Sequence, residues 1–172
     1  MLKSYPPPLI TNGGFESGDL SSWQQGGELA RRVVTDVVHS SRYAVLLGNP
    51  EAAPCQAPSG QAWIEQELTL PWSGTPTLSL WHRVFTYDKN VNLDDGIDHL
   101  DVLLNGRRIL RVANRSQPPR CEGLPHDLEW QRFVYDLSAY RGQSVRLRIV
   151  LVSTDNWWNS WTYVDDVQVD LQ

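Results

Sequence analysis

The run Val145-Arg146-Leu147-Arg148-Ile149-Val150-Leu151-Val152 decides the fold class. Val145, Leu147, Ile149 and Leu151 alternate with Arg146, Arg148, Val150 and Val152, and side chains at alternate positions stand on opposite faces of a strand. A second run repeats the pattern: Leu78, Leu80 and Val84 alternate with Trp81, Arg83, Phe85 and Tyr87, with Thr77 and Ser79 leading in. Similar β-prone runs cover 42–47, 62–70, 99–104, 108–113, 130–135 and 161–171. Asn105-Gly106 between two of them supplies the positive φ that both central positions of a two-residue hairpin turn require. No segment sustains a helical period, and Leu137-Ser138-Ala139-Tyr140 reads as a single turn. Many short strands with turn residues between them imply an all-β chain, a two-sheet antiparallel β-sandwich of the jelly-roll kind.

At 172 residues the chain can bury one good core, and no internal repeat suggests a second unit. Residues 1–8, with Pro6-Pro7-Pro8, read as an extended linker or leader, and 9–172 as the single domain. Nothing after Met1 resembles a signal peptide, so a mature module or excised piece is expected. A net charge of -5 and a pI near 5.3 disfavour nucleic acid and anionic membranes as partners, and no apolar stretch is long enough for a membrane span.

Two acidic signatures lie at opposite ends of the chain. Asn12-Gly13-Gly14-Phe15-Glu16 is followed by Trp23, and Tyr163-Val164-Asp165-Asp166-Val167 closes the last strand. Each sets a carboxylate in an apolar, β-prone stretch, where an unpaired charge would cost several kcal/mol. A shared hard cation, Ca2+, is the economical partner, with Glu16 and Asp165 or Asp166 as its carboxylates. Neighbours on an unbent strand point to opposite faces, so Asp165 and Asp166 cannot both ligate without a distortion. The alternative is that Glu16 caps a loop and pairs with Arg42, with the aspartates at a solvated strand end. A second acidic stretch, 88–98, has cation-loop composition but lacks the EF-hand pattern, and is expected to be a solvated loop.

Cys55 and Cys121 each sit in a loop rich in Pro, Ala or Gly, which suits a loop-tying disulfide better than a zinc site; free thiols are the alternative. A disulfide would imply export.

Eight Trp and six Tyr point to a contact surface. If Leu78, Leu80 and Val84 face the core, Trp81, Arg83, Phe85 and Tyr87 line an outer sheet face, as Arg146 and Arg148 do on their own strand. Rings with planar donors are how proteins bind sugars, the ring face taking C–H groups and the guanidinium taking hydroxyls. The competing expectation is that a loop or neighbouring domain covers this face. Trp157, Trp158 and Trp161 form a second aromatic cluster in a polar loop, and at least one is expected at a binding rim.

Catalysis has little support, because His39, His82, His99 and His126 are scattered and no nucleophile-elbow, zinc-protease or phosphate-loop motif occurs. Glu65 and Glu67 share a face with Trp63 and leave a small glycosidase or lyase as a third reading.

The opening Leu9-Ile10-Thr11-Asn12-Gly13-Gly14-Phe15-Glu16-Ser17-Gly18 with Trp23, and His39-Ser40-Ser41-Arg42-Tyr43-Ala44-Val45, resemble markers of carbohydrate-binding modules of the galactose-binding-like jelly-roll superfamily. A Gly is common in that family where Ser41 stands here. The segment 136–143, the run 145–152, Thr154-Asp155 and 163–167 are also similar to MAM-like accessory domains of secreted bacterial peptidases and adhesins. The resemblance covers nearly the whole chain. It implies a structural calcium whose shell is completed by carbonyls near Asn12 or Gly14 and near Ser41 or Arg42. It also implies a secreted or cell-surface, noncatalytic module that binds a poly- or oligosaccharide beside a covalently linked enzyme or surface protein. The alternative it implies is an adhesion or peptidase-accessory domain with a protein ligand.

Overall fold

The computed structural model describes residues 7–89, 97–116 and 121–172. Its strands are β1 Gln24–Gly26, β2 Arg31–Val34, β3 Ala44–Leu47, β4 Gly60–Thr69, β5 Pro76–Thr86, β6 His99–Leu104, β7 Arg107–Ala113, β8 His126–Asp127, β9 Gln131–Asp136, β10 Ser144–Ser153 and β11 Ser160–Leu171. They form a five-stranded sheet in the order β1-β4-β10-β6-β7 and a six-stranded sheet in the order β2-β3-β11-β5-β8, with β9 also pairing β5. Every pairing is antiparallel. The expected β-sandwich is therefore the observed one.

Most long alternating runs became strands at nearly the expected boundaries. Asn105 and Gly106 turn β6 into β7 with φ of 51° and 80°, and Ser138–Tyr140 is a single 3-10 turn. Strands β1, β2 and β8 were not anticipated, because they are short, lie at or near sheet edges and carry mostly polar or half-buried residues. The acidic stretch 88–98 falls mainly outside the described residues.

The two sheets close on the apolar faces that the alternation marked. Val145, Leu147, Ile149 and Leu151 of β10 join Leu78, Leu80 and Val84 of β5 in one buried cluster. Burying each such side chain contributes roughly 1.5–3 kcal/mol. The N-terminal segment is strapped onto this sandwich by backbone contacts. Gln66 of β4 accepts from the Thr11 amide at 2.8 Å and donates to the Thr11 carbonyl at 2.9 Å. Gly13 lies so close to β11 that a Cβ would stand 1.8 Å from the Val167 carbonyl oxygen. Only glycine permits the 2.9 Å bond from the Val167 amide to the Gly13 carbonyl.

Cys55 and Cys121 are bonded, with their Cα atoms 5.7 Å apart and a sequence separation of 66. Closing so long a loop restricts the unfolded chain, which is worth about 4 kcal/mol. Replacing both cysteines by alanine should lower unfolding free energy by roughly that amount in a urea titration. An unchanged urea midpoint would show that the bond adds nothing.

Candidate functional site

The two acidic signatures do meet. Strand β11 slips register against β5 between Asp165 and Gln168, and Asp166 sits at φ 50°. This bulge lets Val164 and Val167 both enter the main core, and it turns both aspartates toward the segment that precedes β3. Asp165 is fully buried. Its Oδ2 accepts from the His39 and Ser40 amides at 3.0 and 3.1 Å, and its Oδ1 from the Asp166 amide at 2.7 Å. Burial pushes its carboxyl up, against the pull of these backbone donors. Asp166 meets His39 Nδ1 at 2.7 Å and Ser40 Oγ at 2.6 Å. Glu16 Oε1 accepts from the Arg42 and Tyr43 amides, both at 3.1 Å. Glu16 thus caps this loop through backbone donors, and among the described residues it forms no ion pair with Arg42. Ser41 holds φ 53° inside the loop, which explains why glycine suits that position.

A carboxylate offers about four lone-pair sites, and this count sorts the expected calcium ligands. Asp165 has three taken, all by backbone N–H groups. The Asn12 carbonyl is occupied by the Phe15 amide at 3.2 Å and Trp23 Nε1 at 2.9 Å. The Asn12 carbonyl has both lone pairs taken, and Asp165 keeps one site, on Oδ1. Glu16 Oε2 has no partner among the described residues, and Asp166 keeps one site on each oxygen. Between them lies a cradle at Gly14, where a Cβ would stand 3.6 Å from Glu16 Cγ and 3.9 Å from Asp166 Oδ1. Among the described residues no three His, Cys, Asp or Glu side chains are arranged to hold a metal ion by themselves. Two carboxylates with backbone carbonyls are what this seam offers, an all-oxygen set of the kind Ca2+ takes.

The expected aromatic constellation is split between opposite faces of the molecule. On the outer face of the six-stranded sheet, the His39 ring stacks on Trp81 at 3.8 Å and Trp130 meets His39 edge-on at 5.5 Å. Arg83 is held bidentate by Asp127 at 3.0 and 2.5 Å. Trp161 stacks on Phe85 at 5.3 Å and is buried with Tyr163, Leu46 and Tyr87 in a second cluster. The Tyr87 hydroxyl donates to the Gly123 carbonyl. Loops therefore cover much of this face, and Tyr87 and Trp161 are packing residues. Of the three indoles at 157–161, Trp157 is the exposed one, at 53 %.

Arg146 and Arg148 lie on the outer face of the five-stranded sheet, beside Glu65 and Trp63 of β4. Arg148 Nε donates to Glu65 Oε2 at 2.6 Å, and its guanidinium stands 4.0 Å from the centre of the Trp63 ring. Arg146 Nε lies 3.6 Å from Glu65 Oε1 with its side chain 62 % exposed. The indole lies flat because β1 places Gly26 beneath it, where a Cβ would stand 2.3 Å from the ring. Across the same face Asp101 holds Arg111 bidentate at 2.7 and 2.6 Å. His99 Nδ1 is 2.7 Å from the Ile97 carbonyl and its Nε2 is 3.1 Å from Arg111, so a neutral ring donates to the one and accepts from the other. Two connected hollows of about 370 and 210 Å3 run over this sheet, sharing Glu65 and Arg146 and reaching Gln24, Glu67 and Leu103. Sequence reasoning placed these arginines outward and Glu65 with Trp63 on one face; the pairing of β4 with β10 that joins them was not readable.

No protein-family model and no curated relative matches the sequence. The chain does share its fold with carbohydrate-binding modules of known structure. TmCBM61, solved in complex with beta-1,4-galactotriose, superposes with a TM-score of 0.62 at 18 % identity, over 97 % of this chain and 100 % of that one. A family 16 carbohydrate-binding module gives 0.54 at 15 % identity, over 94 % and 99 %. The K1 cleaved adhesin domain of Lys-gingipain from Porphyromonas gingivalis W83 gives 0.61 at 14 % identity, over 92 % and 96 %. At these identities the likeness is one of fold.

Around the Trp157 loop, a buried polar network joins the ends of β6, β10 and β11. Asp98 Oδ1 accepts from the Thr154 amide at 2.8 Å and Oδ2 from the Ser160 hydroxyl at 2.7 Å. Burial outweighs these donors and pushes the Asp98 carboxyl up to about 6. A raised carboxyl pKa means that the folded state binds the proton more tightly, so Asp98 adds stability as pH falls from about 6 to 4. His82 has the opposite sign: burial lowers it to about 4, so its contribution is lost as pH falls from 6.5 toward 4. Asp98→Asn removes one of these opposing slopes. The variant should lose on the order of 2 to 3 kcal/mol more than wild type between pH 6.5 and 4, read by urea unfolding at both pH values. Parallel losses in the two proteins would refute the Asp98 assignment.

Proposed function

We propose that this chain is a noncatalytic carbohydrate-binding module that holds a poly- or oligosaccharide across the outer face of its five-stranded sheet. The observation that carries this reading is the open polar trough in which Arg146 and Arg148 flank the buried carboxylate of Glu65 beside Trp63. Planar guanidinium, carboxylate and amide groups match the paired hydroxyls of a sugar, and the Trp63 indole holds the Arg148 guanidinium in place. Glu65 is committed to two guanidinium groups, which suits binding better than proton transfer. The solved modules of the same fold support the class of ligand, one of them having been studied with a galactotriose. The disulfide suits an exported protein, which is where such modules meet polysaccharides.

The trough and the covered face make different forecasts on a glycan array followed by titration calorimetry. Arg146→Ala and Trp63→Ala should weaken the best glycan about tenfold or more, whereas Trp81→Ala should bind as wild type does. Loss in Trp81→Ala alone would move the site to the six-stranded sheet. Capture of a protein ligand with no glycan bound would favour an adhesion role, in line with the adhesin domain that shares the fold.

The same reading includes a structural Ca2+ held by Glu16, Asp166 and neighbouring carbonyls, which would pin the N-terminal segment to β11. An ion bound only by the folded state adds about 2.7 kcal/mol at a hundredfold excess over its Kd. Chelation should lower Tm in wild type, and Asp166→Asn or Glu16→Gln should abolish that response. Asp165→Asn should instead lower Tm equally with and without the ion. A wild-type Tm indifferent to both calcium and chelator would remove the ion from this reading.

A further inference from the structure

A separate cavity of about 260 Å3 lies where the edge strand of the five-stranded sheet, β7, faces β9 at the edge of the other. Its wall includes His82, which takes an inward position on β5 between Leu80 and Val84, where an apolar side chain would complete the core. His82 is 3 % exposed. Its Nδ1 is sealed from solvent with no hydrogen-bond partner, and its Nε2 has none among the described residues. The large majority of buried side-chain polar atoms in native proteins have a hydrogen-bond partner, from protein or from water, so the bare Nδ1 marks the space beside it as a place for a polar occupant. Burial holds the ring neutral at ordinary pH, which leaves one nitrogen to donate and one to accept.

The remainder of the cavity narrows the class of occupant. Leu110 and Phe133 supply apolar walls, Arg115 stands at the rim, and Arg132, which leaves β9 on the outer face beside Trp81, borders the rim from that side; neither arginine makes an ion pair among the described residues. Two unpaired guanidinium groups beside one hollow are notable on a chain of net charge -5. At roughly 30 Å3 per water the space would hold about eight waters, comparable to one six-membered sugar ring. We propose that this cavity is a second ligand site, which takes a single acidic sugar residue with its ring against Phe133, a hydroxyl on His82 and its carboxylate at Arg115 and Arg132. The site is independent of the trough; only the choice of a sugar as the ring rests on the carbohydrate reading.

The test follows the His82 ring nitrogens by NMR in the full chain, labelled in histidine, during titration with galacturonate, galactose or acetate. Galacturonate should shift the His82 signals saturably, and galactose and acetate should each bind about tenfold more weakly, since each lacks one half of the recognition. Arg132→Gln should weaken galacturonate about tenfold. His82→Leu should abolish its binding without lowering Tm, because leucine removes an unsatisfied group from the interior. Arg146→Ala in the trough should change neither result. The proposal is overturned if none of the three solutes moves His82, if galactose matches galacturonate, or if the response vanishes in Arg146→Ala. Failure of the glycan array with an intact His82 response would sink the trough and leave this cavity standing.

Discussion

The structure depends on a single distortion, the bulge that strand β11 makes at Asp165 and Asp166. A regular strand would send these two carboxylates to opposite faces. The slip in register and the positive φ of Asp166 send both to the loop at 39–43, so one local kink fastens that loop with backbone and side-chain hydrogen bonds together. The same loop then presents its Arg42 and Tyr43 amides to Glu16. Segments from the beginning, first quarter and end of the chain are joined here, and contacts so distant in sequence carry a large loop-closure cost. The seam offsets that cost with charge-assisted bonds, which are stronger than neutral ones.

From the seam follows the different fate of the two sheet faces. His39, held by Asp166, lies against Trp81, and the cover continues through Trp130 over the aromatic cluster around Trp161. Large rings on this face would leave an apolar patch if bare, and the loop prevents that. The five-stranded sheet needs no such cover. Its outward charges pair among themselves, Glu65 with Arg146 and Arg148, Asp101 with Arg111, so the face can stay wet without leaving a buried charge alone.

Much of this was legible in the sequence, and the limits have physical causes. Alternation marked Leu78, Leu80 and Val84 against Trp81, Arg83 and Phe85 because a half-buried strand writes its two faces at period two. Alternation says which face a residue takes but not what lies over that face. Tyr87 and Trp161 were read as binding residues, yet loops remote in sequence bury them. The pairing of Trp63 with Gly26 and of Glu65 with Arg148 depends on which strands become neighbours, a property of topology that no local pattern records. The bulge was not foreseen: on a regular strand only one of Asp165 and Asp166 could face the site, and alternation does not say where a strand will slip. His82 left a trace that went unread: a titratable residue at an inward position of an otherwise apolar alternation.

The trough and the edge cavity stand at opposite ends of one physical scale. In the trough Glu65, Arg146 and Arg148 already have partners, so a ligand there must exchange hydrogen bonds, and the net gain per exchange is small. Affinity there has to come from repetition along an extended chain of similar units, which suits a shallow face running across several strands. At His82 the polar group has no partner to give up, and an occupant gains the bond while relieving a group that is costly to leave bare. A site that supplies a missing hydrogen bond can therefore discriminate a single residue where one that only exchanges bonds cannot. Both hollows occur on one sandwich because its sheet centres are satisfied by pairing between neighbouring strands, whereas β7 and β9 are edge strands whose inner side chains have a neighbour on one side only.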